Sequence, residues 1–202
     1  MPKDNQTLRQ KVSLRLRLLN ALGEPPRILE THGGWGGVYL QCYHHIPDGV
    51  VFEKDEQKSA ALAYQRPSWC VLQADCVAAI AGGIGLHHQP NFFDLDPSGE
   101  PWNILDALFF QHPLWSVGRV VFAVNDGLRQ KLRLKTGWSV HALAEAVEVF
   151  GNEALHDRYL DVCRWLIERK TSQIGYRLAR FGGYYCGQGS RMTHYGFILE
   201  QA

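Results

Sequence analysis

The chain has 202 residues, 46% of them hydrophobic and 20% charged, with a formal net charge of +1. That is enough sequence for one domain with a full core, and the near-neutral total gives no global signal for nucleic acid, membrane or an acidic ligand. Five cysteines, at 42, 70, 76, 163 and 186, are odd in number and form no C-x-x-C pair, which argues against a disulfide framework and a structural zinc site.

Charge is uneven along the chain. Residues 1–24 carry Lys3, Arg9, Lys11, Arg15 and Arg17 against Asp4 and Glu24, and residues 127–138 carry four bases and no acid. Both segments are candidate phosphate-facing patches, although solvated element faces explain them equally well. The polar opening MPKDNQTLRQ is not a secretory signal and no apolar run reaches membrane-spanning length, so a reduced, cytoplasmic protein is expected.

Leu8, Val12, Leu16, Leu19 and Leu22 recur at helical spacing and predict an amphipathic opening helix with its bases off that stripe, stopped by Gly23 and Pro25-Pro26. Short β-branched runs then alternate with helical stretches. RILE (27–30) is the first strand, followed by a glycine-rich turn and a helix from about Gly37. VVFE (50–53) is the second, with EQKSAALAYQ as its helix. WCVLQAD (69–75), NFFDLD (91–96) and RVVFAVND (119–126) are the third, fourth and fifth. This rhythm predicts an α/β fold with a mostly parallel sheet.

Residues 127–174 read as helical: Ser139 caps SVHALAEAVEVF, Gly151 ends it, and Asn152 starts a second helix through Arg169. YRLARFGGYY and MTHYGFILEQ, joined by CGQGSR, form an antiparallel hairpin. One domain over 1–202 is expected, divided into an N-terminal helix (1–24), a core (27–126), a helical segment (127–174) and the hairpin (175–202).

Several strands end in residues that carry chemistry. ILETHGGWGG (28–37) sets glycines before a helix N-terminus, where the backbone can approach a ligand closely. Tyr39 breaks a G-x-G-x-x-G, and the spacing fits E-x-x-x-G-x-G through Glu30, Gly34 and Gly36. Glu53 ends the second strand, Asp75 ends the third with Cys76 beside it, and NFFDLDPSGEPW (91–102) puts Asp94, Asp96 and Pro97 at the end of the fourth. Asp94 and Asp96, two apart, would share a strand face. Each has a plainer alternative: Glu30 capping a turn, Glu53 or Asp55 starting a helix, Asp75 as an N-cap. The doublets His44-His45 and His87-His88 read as surface groups, because adjacent residues rarely chelate one metal, and Trp35, Trp69 and Trp102 read first as packing.

In this order, the residues resemble the class I S-adenosylmethionine-dependent methyltransferases. The resemblance implies a Rossmann-like, seven-stranded, mostly parallel sheet with an antiparallel C-terminal hairpin, and S-adenosylmethionine as cofactor without a metal. It assigns Glu30, Gly34 and Gly36 to the methionine part, with His32 standing where the family usually has its first loop glycine. Glu53 would take the ribose hydroxyls, and Asp75, beside Cys76, the adenine amine. DLDPSGEPW is also similar to the D-x-D-P-x-G-x-P motif of tRNA guanosine exocyclic-amine dimethyltransferases through Asp94, Asp96, Pro97, Gly99 and Pro101. That implies an amine of a nucleic-acid base as methyl acceptor, RNA before DNA, with Asp94, Asp96 and Pro97 facing it. Residues 1–24 and 127–138 would then contact phosphate, in the absence of the large RNA-gripping domain those enzymes carry. The alternatives are a small-molecule or protein methyltransferase with 127–174 as a lid, and a non-catalytic Rossmann-like module working with a protein partner.

Overall fold

The computed structural model describes residues 7–115, 118–133 and 140–202 in full and the backbone of residue 134. Ser139, proposed as a helix cap, and Lys3, Asp4 and Lys135 lie outside the described residues. Among those described, seven strands form one sheet in the order β3-β2-β1-β4-β5-β7-β6. The strands are β1 (Ile28–Glu30), β2 (Gly49–Glu53), β3 (Cys70–Gln73), β4 (Phe92–Leu95), β5 (Arg119–Asp126), β6 (Tyr176–Cys186) and β7 (Met192–Gln201). The pairs among β1 to β5 are parallel, and β7 runs antiparallel to both β5 and β6. The expected α/β architecture is therefore present.

The helices are α1 (Leu8–Leu22), α2 (Gly37–Cys42), α3 (Glu56–Gln65), α4 (Cys76–Ala81), α5 (Trp102–Phe110), α6 (Leu128–Leu134), α7 (His141–Phe150), α8 (Ala154–Asp157) and α9 (Tyr159–Ser172). Strand side chains alternate between two cores, as period-two geometry requires. Ile28, Val51, Phe92 and Val121 pack with Leu14 and Leu18 of α1, Val38 and Tyr39 of α2 and Leu62 of α3. Leu29, Phe52, Phe93 and Phe122 pack with Ile80, Leu105, Leu143 and Leu166 of the helices on the other face. None of these helices is long and apolar enough to cross a membrane.

Four details depart from the sequence reading. The buried face of α1 is Lys11, Leu14, Arg15, Leu18 and Leu22, while Leu16 is exposed. Two bases therefore lie on the inward stripe. The segment expected from 152 to 169 divides into α8 and α9 at Arg158, whose backbone leaves the helical region. The third strand stops at Gln73, short of Asp75, and the fourth stops at Leu95, short of Asp96. The hairpin connection contains a short 3₁₀ turn, Gln188–Ser190.

Candidate cofactor and acceptor site

The face of the sheet toward α1, α2 and α3 carries carboxylates where the alternation calls for apolar residues. Glu30 and Asp94 are register partners on β1 and β4, both buried. Each meets a buried arginine. Arg66, just past the end of α3, donates to Glu30 and stacks 4.2 Å from the centre of the Tyr39 ring. Arg15 of α1 donates through Nε to Asp94 Oδ2 at 2.7 Å and through Nη2 to Oδ1, and Tyr43 donates to the same Oδ2 at 2.6 Å. Burial pushes the Glu30 carboxyl up to about 7, against the opposing pull of Arg66. The Asp94 carbonyl also accepts from the Thr31 amide at 2.9 Å, so this strand end fixes the start of the glycine loop.

Two residues on, the pattern repeats in the open. Lys11, one turn before Arg15, places Nζ 2.7 and 2.8 Å from the two oxygens of Asp96, and Asn125 Nδ2 donates to Oδ1 at 2.5 Å. Helical i,i+4 spacing is thus matched to strand i,i+2 spacing. The Asp96 side chain keeps 21% exposure where Asp94 has 1%. Burial would raise its carboxyl, but Lys11, Arg15 and Asn125 together hold it below the usual carboxylate range. A carboxylate has about four acceptor positions. Three are filled, leaving one on Oδ2.

Asp96 borders a cavity of about 550 Å³, whose walls also include Glu30, His32, Gly34, Glu53 and Pro97. That volume lies in the range typical of small-molecule and cofactor pockets, about 300–1,000 Å³. A side chain on Gly33 would run into Val51 Cγ2 at 2.7 Å, so glycine is required there. Gly34 has φ +55° and only open space where a Cβ would point, which leaves its backbone approachable. Gly36, also at positive φ, immediately precedes α2 as its N-cap. The glycine loop is tied to the strand ends: Glu53 accepts from the Gly34 amide at 2.8 Å and from the Asp55 amide at 2.9 Å. His32 turns its Nδ1 to the Thr31 hydroxyl at 2.9 Å and its Nε2 to Cys76 Sγ at 3.8 Å. Burial lowers its pKa, opposed by the surrounding carboxylates, Asp96 foremost.

The residues singled out from sequence are thus brought only partly together. Glu30, His32, Gly34, Glu53, Asp96 and Pro97 share the cavity wall. Asp94 does not; it is engaged by Arg15 and Tyr43 behind it. Asp75 caps α4, accepting from the Val77 and Ala78 amides at 3.1 and 3.2 Å, and with Cys76 it lies off the cavity wall. Sequence reasoning missed Tyr43 and Asn125, and it placed Lys11 and Arg15 in a phosphate-facing patch, whereas both turn inward onto Asp96 and Asp94. The matched spacings of 11/15 and 94/96 were visible, but nothing in the sequence says that α1 docks on this face.

The Asp96 loop has its own support on the other face. Asp126 accepts from the Leu128 amide at 2.8 Å and from the Tyr159 hydroxyl at 2.7 Å, and Trp102 Nε1 donates to that hydroxyl at 3.1 Å. Burial pushes Asp126 up to about 7 in spite of those bonds. The Gly127 amide donates to the Gly99 carbonyl at 2.8 Å, closing the loop against β5. No group of three or more metal-ligating side chains occurs among the described residues.

No family model and no curated protein matches the chain. Solved structures do. The chain is similar to M. jannaschii TYW2 in complex with AdoMet at TM-score 0.62 and 10% identity, over 100% of this chain and 79% of that one. It is similar to Trm1 from Pyrococcus horikoshii with S-adenosyl-L-methionine at TM-score 0.63 and 12% identity, over 98% of this chain but only 55% of that one. A third is the N-methyltransferase NodS from Bradyrhizobium japonicum WM9 with S-adenosyl-L-homocysteine, at TM-score 0.63 and 11% identity, over 98% and 89%. The sheet order, the reversed β7 and these three likenesses establish the Rossmann-like fold shared with class I methyltransferases.

Proposed function

We propose that this protein is an S-adenosylmethionine-dependent methyltransferase acting on an amine of a nucleic-acid base, RNA in the first place. The observation that carries the reading is Asp96, a carboxylate paired with Lys11 that lines a cavity whose other walls include the glycine loop and Glu53. The three solved structures that share this fold hold S-adenosylmethionine or S-adenosylhomocysteine.

The residues present fit that cofactor. Gly34 offers bare backbone to the cavity, Glu30 a buried carboxylate for the methionine ammonium, and Glu53 keeps acceptor positions beyond its two amide bonds for ribose hydroxyls. Asp75, expected at the adenine amine, is instead engaged away from the cavity wall, with one oxygen on the α4 amides and the other 3.7 Å from Lys54 Nζ, so no cofactor contact is assigned to it. His32, turned onto Thr31 and Cys76, leaves the cavity open. When bound, the cofactor supplies an electrophilic methyl on a sulfonium.

The chain's own part is positioning and charge stabilisation. Asp96 Oδ2 accepts one N–H of the acceptor amine and so turns the nitrogen lone pair. Pro97 lacks an N–H, so its backbone nitrogen offers no competing donor at that wall. Because Lys11, Arg15 and Asn125 keep Asp96 ionised, it acts as a hydrogen-bond acceptor that stabilises charge developing on nitrogen, and the amine proton passes to solvent water after methyl transfer. Asp94 has no contact role here: it holds the glycine loop through its carbonyl and α1 through its carboxylate.

The test is methyl transfer from isotopically labelled S-adenosylmethionine to separate pools of RNA, DNA, protein and small metabolites. Nucleoside digestion should place the label on a base nitrogen of RNA or DNA. Label confined to protein or small metabolites would overturn the acceptor class.

A further inference from the structure

The basic segment after β5 and the hairpin connection meet beside this cavity. Arg129 of α6 is engaged within the fold. Its guanidinium lies 3.9 Å from the centre of the Tyr185 ring, and it donates to the carbonyl of Ser190 and, at 3.1 Å, to that of His156. These bonds pin the 187–190 turn against α6.

Arg133 and Arg191 then converge at Gly189. A Cβ on that glycine would lie 3.3 Å from Arg133 Nη1 and 3.7 Å from Arg191 Nε, so both guanidiniums border one small volume. Both residues are exposed, and neither has a carboxylate or hydrogen-bond partner among the described residues. Five other surface arginines are answered: Arg119 and Arg177 flank Glu200, and Arg158, Arg164 and Arg169 each face an acid. Two like charges held together without a counter-ion repel, and the arrangement is relieved by a multiply charged anion. Guanidinium forks match phosphate oxygens in geometry as well as charge.

The place of this pair matters. Met192, the neighbour of Arg191, lines the cavity. Its thioether lies against the loop that carries the Asp96 motif, since a Cβ on Gly127 would meet both the Gly99 carbonyl at 3.2 Å and Met192 Sδ at 3.6 Å. On α1, by contrast, Lys11 and Arg15 are turned inward onto Asp96 and Asp94. Of the two basic segments legible in the sequence, the second therefore supplies Arg133 to a paired cationic site completed by Arg191, whose neighbour Met192 lines the cavity.

We propose that Arg133 and Arg191 clamp a backbone phosphate of a single-stranded nucleic acid whose base enters the Asp96 cavity. The proposal rests on reading that cavity as the site of a base amine. It predicts which charges matter, and two arginines without an acid partner among the described residues supply the control: Arg17, which donates to the Ser13 carbonyl at 3.2 Å, and Arg180, both lining a separate groove of about 250 Å³ between α1 and β6.

The experiment is fluorescence anisotropy of the full chain with a labelled single-stranded RNA of about 12 nucleotides, and its DNA counterpart, over a salt series. S-adenosylmethionine affinity is measured on every variant. R133A/R191A should bind both strands about tenfold more weakly, and the slope of log affinity against log salt should become shallower by about 0.7, the value for one single-strand phosphate contact. R17A/R180A, which removes the same charge, should keep the wild-type slope. Unchanged binding by R133A/R191A, or an equal loss in R17A/R180A, would overturn the clamp. Wild-type protein that binds the cofactor but neither strand would also overturn it, leaving the methyltransferase reading standing. Clamp-dependent strand binding without cofactor binding would support the phosphate site and remove the methyltransferase reading.

Discussion

Two ion pairs on one face of the molecule use the same parts to opposite ends. Arg15 with Asp94 is sealed beneath α1 and joined by Tyr43; Lys11 with Asp96, one helical turn along, stands at the wall of a cavity and keeps an acceptor position open. The contrast teaches that residue type and spacing do not separate a structural carboxylate from a functional one. Each carboxylate accepts three hydrogen bonds, so what separates them is not the number of partners but whether solvent reaches the group: Asp94 is sealed and Asp96 stands at the cavity wall.

That difference can be broken first at the sealed pair. Arg15→Met leaves a buried Asp94 carboxylate uncompensated, and denaturant unfolding should show a loss of about 3–5 kcal/mol. Adding Asp94→Leu to the same chain should restore most of it, because the pair as a whole gains little over an apolar replacement. A double variant no more stable than Arg15→Met would show that the pair is needed for more than its own compensation.

A second test concerns the carboxyls that burial raises. Asp126 goes from its ordinary 3.8 to about 7 on folding. An acid raised in this way binds more protons in the folded chain than in the unfolded one between those values, so stability is greatest below pH 4 as far as this group is concerned and falls as pH rises toward 7. The drop for a shift of this size is about 4 kcal/mol at most. Asp126→Asn should flatten the profile of unfolding free energy between pH 4 and 8, and an unchanged profile would contradict the assignment.

The open pair is sharpened by activity. Asp96→Asn should lower methyl transfer at least a hundredfold, about 2.7 kcal/mol of transition-state stabilisation, while cofactor affinity stays within tenfold. A parallel loss of cofactor affinity would place Asp96 in binding instead. The smallest effect belongs to Tyr43→Phe, which removes one of three hydrogen bonds to Asp94: about 1–2 kcal/mol in unfolding free energy, with turnover unchanged.

Much of the fold was legible. β-branched runs such as VVF and RVVFAV alternate with helical stretches, and α3 begins at Glu56 as read because Asp55 caps it, accepting from the Lys58 amide at 3.0 Å. The inward face of α1 was not legible. The leucines point to one stripe, but the sheet beneath carries Asp94 and Asp96, and their demand for cations rotates Lys11 and Arg15 inward and leaves Leu16 at 40% exposure. Of the candidate site, the strand-end acids were found because each follows an apolar run. Their division into sealed and open was hidden, since it depends on partners 79 and 85 residues away. The break between α8 and α9 was missed because the residues around it carry no proline or glycine.

The most direct measurement is calorimetric titration of the purified chain with S-adenosylmethionine and S-adenosylhomocysteine, alongside Glu53→Ala and Asp96→Asn. Binding of both ligands in the micromolar range, lost in Glu53→Ala and kept in Asp96→Asn, is the predicted result. Absence of binding to the wild-type chain, or equal binding by Glu53→Ala, would contradict the assignment of this cavity to the cofactor.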